Sequence, residues 1–296
     1  MPNTSDPQDV LDPRLNAYRP DIADARLRDR VFADRYVDGQ RMRVTVPVAD
    51  LLKTPHADSG LQAQAVFGQD VLVFDTLKGD DGQGWSWCQT VSDGYVGYVR
   101  SHALSPAETP PTHFIIAPRS FIYSETDLKS RWTACLSMGS HLAICDYETV
   151  RGTRYAILEF GGAMFADHIS PIGAWQDDPV TVAETLLNTP YLWGGNTGFG
   201  IDCSGLVQLS MACCGRTVLR DSDMQAASIG TPLEGGPKSL QRGDLVFWDG
   251  HVGMMSDSQT LIHANAHTMT VALEPLAVAI ERINYLYGEP TGYRRA

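Results

Sequence analysis

From about residue 39 to residue 172 the chain alternates apolar and polar positions in short runs, "RMRVTVPV", "QAQAVFG", "DVLVFDT", "WSWCQTV" and "YVGYVRS", each closed by turn residues. Alternation of period two predicts half-buried strands, and a series of short strands predicts small β-barrels. A faint repeat predicts two of them. "PVADLLKTP" at 47–55 aligns with "PRSFIYSET" at 118–126, and "VFGQDVLVFD" at 66–75 with "SMGSHLAICD" at 137–146, both at an offset of 71 residues. "RSHALSP" at 100–106 answers "ADHISP" at 166–171 at an offset near 66, so the repeat keeps its order across a small deletion. Barrels close their sheet edges by curling, which suits the glycines of "SDGYVGYV" at 92–99.

Flanking segments carry other patterns. Residues 1–38 read as a polar arm with a short helix over Asp21–Val31, where Ala, Leu and Arg dominate. After "ISPIGAWQDDP" the pattern predicts a helix in "PVTVAETLLNT" ending at Pro190, a second over Ser204–Cys214 ended by Gly215, and strands from "GDLVFWDGHVGMMS" onward. Helices followed by an antiparallel sheet make an α+β domain. The expected organisation is an arm over 1–38, barrels over 39–108 and 109–173, and an α+β domain over 174–296.

Composition narrows the partners. The 296 residues carry a formal net charge of -12 and no Lys/Arg-rich run, which excludes a nucleic-acid surface and favours a small polar substrate. No stretch has the roughly 20 apolar residues of a membrane span. The N-terminal sequence never assembles the apolar run of a secretory signal, so a cytoplasmic location is expected. In that reducing setting Cys88, Cys135 and Cys145 are expected as buried free thiols. No cysteine or histidine pair has zinc spacing, and neither metal nor organic cofactor is expected.

Chemistry concentrates in "FGIDCSGLVQLSMACCG" at 199–215. Leu206, Val207, Cys213 and Cys214 share a helical face, so the last two read as small core residues. Cys203 lies in the first helical turn, behind Asp202 as a cap. Free N–H groups and the positive dipole end there favour a thiolate, and the same donors could meet an incoming carbonyl. A cysteine that simply fills a helix start would give the same pattern. A nucleophile needs a base, and His251 begins the second strand of a hairpin turned at Asp249-Gly250. His263 follows on the next antiparallel strand, within cross-strand reach. One imidazole could take the thiol proton while the other fixes its tautomer.

"TPYLWGGNTGFGIDCSGLVQ", "RGDLVFWDGHVGM" and "LIHA" resemble, in order, three signature segments of the NlpC-type cysteine peptidases, papain-like enzymes that cut bacterial cell-wall peptides. The resemblance implies Cys203 as nucleophile, His251 as general base, His263 as the residue that orients it, and Tyr191 as a hydroxyl near the oxyanion or a packing residue. Tandem SH3-like barrels before such a domain resemble the enzymes that release L-Ala-γ-D-Glu from free murein peptides. That implies a substrate such as L-Ala-γ-D-Glu-diaminopimelate, with the first barrel walling the site. A buried ammonium needs carboxylates or aromatic rings, and the resemblance offers Asp221 and Tyr95. It also implies that Asp202, Ser204 and Ser222 hold the γ-D-Glu portion, with Arg220 as a rival carboxylate partner. An acidic residue of the first barrel is expected at the amine, with Asp58, Gln62, Gln64 and Asp70 as the nearby polar residues. An exported wall hydrolase, an inert peptide-binding module and an acyltransferase on the same scaffold are the competing readings.

Overall fold

The computed structural model describes residues 11–296, so the first ten residues of the expected arm lie outside it. The first strand unit is one antiparallel sheet in the spatial order Leu61–Val66, Val48–Leu52, Val96–Arg100, Gly84–Thr90, Asp70–Lys78, Gln40–Val44, Leu104–Pro106. Inward-facing Val44, Leu51, Val71, Cys88 and Val99 form its core. The second unit repeats that order as Trp132–Ser137, Arg119–Tyr123, Ala163–Phe165, Thr153–Leu158, Ile144–Val150. Its remaining strands, His141–Leu142, His113–Ile115 and Ile169–Pro171, form a separate small sheet.

The closed barrels expected from the repeat are therefore open sheets, and the two units differ at one strand. Asp70–Lys78 bends through a register shift between Val73 and Asp75 while staying paired along its length. The matching stretch of the second unit breaks between Leu142 and Ile144, and the sheet splits there. The thiol expectation holds for Cys88, which is fully buried, but Cys135 is half-buried and Cys145 exposed. Cys145 sits in Ile144–Val150, a strand open to solvent along most of its length.

In place of a helix over Asp21–Val31 the arm forms only a 3-10 turn, Ala25–Leu27. Ala23–Asp24 is drawn into parallel pairing with Tyr36–Val37, which holds the preceding backbone extended, and the Asp24 carboxylate caps the short turn. The arm lies along the first unit. Ala17 and Ile22 pack on Phe74 and Trp87, and the Val96 N–H donates to the Arg14 carbonyl at 2.8 Å.

The last unit is a six-stranded antiparallel sheet with helices on both faces. Its central strands are Leu245–Trp248, His251–Met255 and Thr260–Asn265. Leu245, Phe247, Val252, Met254 and Ile262 meet the helices Pro179–Thr185 and Cys203–Cys213. Val246, Trp248, Met255 and Leu261 meet Leu276–Tyr287, a helix the sequence pattern did not signal. Burial on both faces explains why "LVFW" is apolar without alternation. The expected helix over Ser204–Cys214 runs Cys203–Cys213 and is buried nearly all round. Cys214 is its half-buried C-cap, and Gly215, at φ 73°, ends it.

Close contacts fasten the first unit to the last. Gly194 has φ 74°, and a Cβ there would collide with Leu61, so a side chain would push the turn off the sheet edge. Gln208 of the buried helix donates to Asp93 at 2.6 Å and accepts from Asn196 at 2.9 Å.

Candidate active site

Asp202 prepares the helix start. Its Oδ1 accepts the Gly205 N–H at 2.7 Å, the reciprocal of an unpaired first-turn donor, and its Oδ2 accepts the Gly194 N–H at 2.9 Å. Arg220, 1% exposed, donates to both Asp202 oxygens at 2.9 and 2.7 Å and to Ser204 Oγ at 2.8 Å. A buried guanidinium is stable here because a carboxylate and a hydroxyl receive its charge. This placement corrects one expectation: the Nη donors of Arg220 are spent beneath the helix, and it does not line the cavity as a carboxylate partner. The Asp202 carboxylate is similarly saturated, so it orders the helix start while only the surfaces of Asp202 and Ser204 reach the cavity.

Cys203 follows as the first residue of the helix and is 6% exposed. Burial pushes its thiol up to about 12, Asp202 adds to that, and the Val252 and Ser204 N–H groups act in the opposite direction. Val252 is the residue after His251, so the thiol sits against the histidine strand. Gly250, at φ 73°, makes the hairpin turn that starts this strand at His251.

The two histidines meet as the sequence implied, and two unforeseen residues extend the chain of contacts. His251 Nε2 lies 3.0 Å from His263 Nδ1, and His263 Nε2 lies 3.1 Å from Glu274 Oε2. Arg282 holds Glu274 at 3.0 and 2.6 Å. The hydrogen bond from His263, with Arg282 behind it, draws the Glu274 carboxyl down to about 2. An ionised carboxylate only accepts, so His263 Nε2 carries hydrogen. In the neutral ring Nδ1 accepts, and His251 Nε2 donates to it. The lone pair of neutral His251 is thereby fixed on Nδ1, the nitrogen that His263 does not occupy. Burial, with His263 next, pushes His251 down to about 3. Neither Glu274 nor Arg282 belongs to a recognisable motif; period-two spacing along Thr270–Pro275 was the one available signal for Glu274.

Beside Cys203 lies a cavity of about 400 Å³ whose lining includes Tyr191, Trp193, Gly250, Tyr95, Asp221 and Ser222. Tyr191 and Tyr95 are both buried enough that their hydroxyls stay protonated, with titration pushed well upward. Tyr95 donates to Asp221 Oδ2 at 3.0 Å. Burial raises the Asp221 carboxyl above the usual range despite that donor and nearby arginines. Of the polar residues considered for the first unit, only Gln62 lines the cavity. Asp70 is paired with Arg41 and Arg43, and Gln64 donates to Asp50.

The arm supplies a residue that no sequence pattern marks. Arg14 donates to Asp221 at 2.9 Å and Asp223 at 2.8 Å, and is steadied by Asp12 at 2.8 Å. Three carboxylates thus surround one guanidinium, and this end of the cavity keeps a negative surplus. Asp221 caps the helix Ser222–Ser228 without a side-chain capping bond, and its Oδ1 has no hydrogen-bond partner among the described residues.

Two segments of the chain match known families. The NlpC/P60 family pattern matches residues 188–285, and that of the bacterial dipeptidyl-peptidase Sh3 domain matches residues 51–104. Dipeptidyl-peptidase 6 of Lysinibacillus sphaericus is 24% identical over 247 residues, covering 75% of this chain and 86% of that protein. Gamma-D-glutamyl-L-lysine dipeptidyl-peptidase of Bacillus subtilis is 27% identical over 234 residues, covering 70% and 73%. Probable endopeptidase NlpC of Escherichia coli is 34% identical over 110 residues, covering 35% and 68%. A crystal structure of an NlpC/P60 family protein from Bacillus cereus shares the fold at TM-score 0.70 and 20% identity, covering 86% of this chain and 99% of that one. Because the matched stretch carries Cys203 and both histidines and an SH3 domain precedes it, the chain belongs to the NlpC/P60 family of cysteine peptidases.

Proposed function

We propose that this peptidase hydrolyses the bond between γ-D-Glu and a diamino acid in free murein peptides that begin with L-Ala, as a cytoplasmic recycling enzyme. The observation that carries the reading is the negatively charged end that Asp221, Tyr95 and the arm build in the cavity of about 400 Å³. An ammonium fits against Asp221 Oδ1, whereas an acylated amine brings bulk and no charge. The names of the related dipeptidyl-peptidases support the bond assigned, and six free thiols are compatible with a reducing compartment. The shared strand order supports reading the second unit as a further SH3-like domain, with boundaries near 39–108, 109–173 and 174–296.

In this mechanism His251 Nδ1 takes the Cys203 proton as sulfur attacks the γ-glutamyl carbonyl carbon. The oxyanion meets first-turn N–H groups of the helix and the neutral Tyr191 hydroxyl. Collapse breaks the C–N bond, and the departing amine takes the proton from His251. Water then gives a proton to His251 and attacks the thioester, and the thiol recovers that proton as it leaves.

Mass spectrometry of digests tests the substrate. Free L-Ala-γ-D-Glu-diaminopimelate is expected to release the dipeptide, while its N-acetylated form and intact peptidoglycan remain uncut. Cleavage of intact wall would overturn the free-peptide reading. Asp221→Asn is expected to raise KM for the free peptide about tenfold with kcat little changed, since a charge-assisted hydrogen bond is lost from ground and transition states alike. Burial favours the neutral thiol and neutral imidazole together, so kcat/KM is expected to stay level through pH 6–7. An acid limb at an ordinary histidine value, about 6.5, would contradict that neutral resting pair.

A further inference from the structure

A second groove, about 460 Å³, adjoins the cavity beside Cys203. It shares the rim residues Tyr191, Trp193 and Gly250 with the cavity beside Cys203, but its wall contains His251. His251 must hand its proton to the leaving amine, so the departing half of the substrate lies over this wall.

Asn265 lines the groove two residues beyond His263, on the same face of its strand. It is only 4% exposed. Its Oδ1 accepts the N–H groups of His267 at 3.0 Å and Thr268 at 2.8 Å, which fixes the orientation of the amide. The Nδ2 group is left buried without any hydrogen-bond partner. A buried donor in that condition is destabilising unless something supplies an acceptor. Arg282, lining the same groove, spends Nε and Nη2 on Glu274, and its Nη1 makes no hydrogen bond among the described residues. Glu274 is already held by His263 and Arg282, so no unengaged carboxylate stands in this wall.

We propose that this groove is the leaving-side subsite and that Asn265 Nδ2 and Arg282 Nη1 read a carboxylate on the side chain of the departing diamino acid. This rests on the γ-D-glutamyl peptidase reading above and makes it more specific. A side chain ending in an ammonium alone finds no carboxylate in this wall, whereas one carrying a carboxylate, as in diaminopimelate, receives both donors.

The test compares L-Ala-γ-D-Glu-diaminopimelate with L-Ala-γ-D-Glu-L-lysine, each with its α-carboxyl amidated so that the side-chain carboxylate alone differs. Wild-type kcat/KM is expected to favour diaminopimelate about tenfold or more. Asn265→Asp keeps the Oδ1 acceptor of the turn and replaces the donor with an acceptor. It is expected to erase most of the preference by slowing the diaminopimelate peptide, read as the ratio of the two kcat/KM values. Equal wild-type rates on the two peptides, or a preference that survives in folded Asn265→Asp, would overturn the inference while leaving the peptidase reading intact. Cleavage of neither peptide by the wild type would overturn that reading and the inference with it. The wild-type ratio does not depend on how the variant folds.

Discussion

Cys203→Ala is expected to lower kcat/KM for the murein peptide about ten-thousandfold or more, to the level left by binding and oxyanion donors without a nucleophile. Cys213→Ala is expected to stay within a few fold of wild type. Both thiols are buried and both are pushed up to about 12, so neither acidity nor exposure separates them. Position does. Cys203 lines the substrate cavity at a helix start whose N–H groups have no partner inside the helix, with Val252 of the histidine strand at its sulfur. Cys213 ends the same helix among Leu209, Val182 and Phe114, where alanine removes one sulfur from the core and costs about 1 kcal/mol of stability. Steady-state kinetics on both variants, with intact-mass detection of the acyl thioester, gives the answer. Equal losses in the two would mean that the helix, rather than one thiol, is what the reaction needs.

The same contrast explains how far the sequence could be read. Cys203, His251 and His263 were legible because local features mark them: a cap before a helix, a Asp-Gly turn before a strand, and a next strand within reach. Strand repeats were legible as well, since an offset of 71 residues survives wherever the strands pair alike. Arg14 was not legible. It meets Asp221 across 207 positions of sequence, and neither residue has a neighbour pattern that requires the other. Arg220 misled for a related reason: an arginine beside a site resembles an anion receptor until Asp202 and Ser204 are seen to consume it. In the second unit the sheet divides at a strand break near Ala143, and in the first the edge strands Leu61–Val66 and Leu104–Pro106 do not meet; alternation registers neither.

Removing His263 or its carboxylate tests the tautomer argument directly. His263→Ala is expected to lower kcat several-hundredfold with a smaller change in KM, because His251 then distributes its hydrogen between both nitrogens and loses its orientation. Glu274→Ala is expected to lower kcat about 10–100-fold, the usual cost of losing a group that orients an active imidazole. Glu274→Gln separates charge from geometry. Arg282 Nη2 and His263 Nε2 both donate to Oε2, so the glutamine oxygen is held toward them and still accepts from His263. This variant is expected to keep kcat within about fivefold, since the hydrogen-bond pattern survives without full charge. Nitrogen NMR of labelled histidine reads the same point without turnover: His251 should carry hydrogen on Nε2 in wild type and Glu274→Gln, and become mixed in Glu274→Ala. A purely structural role for Glu274 would make kcat follow thermal stability across the variants while the His251 tautomer stays fixed. A fall in kcat that instead follows the tautomer, with Glu274→Gln rescuing both, requires that the carboxylate act on Cys203 through two imidazoles in series.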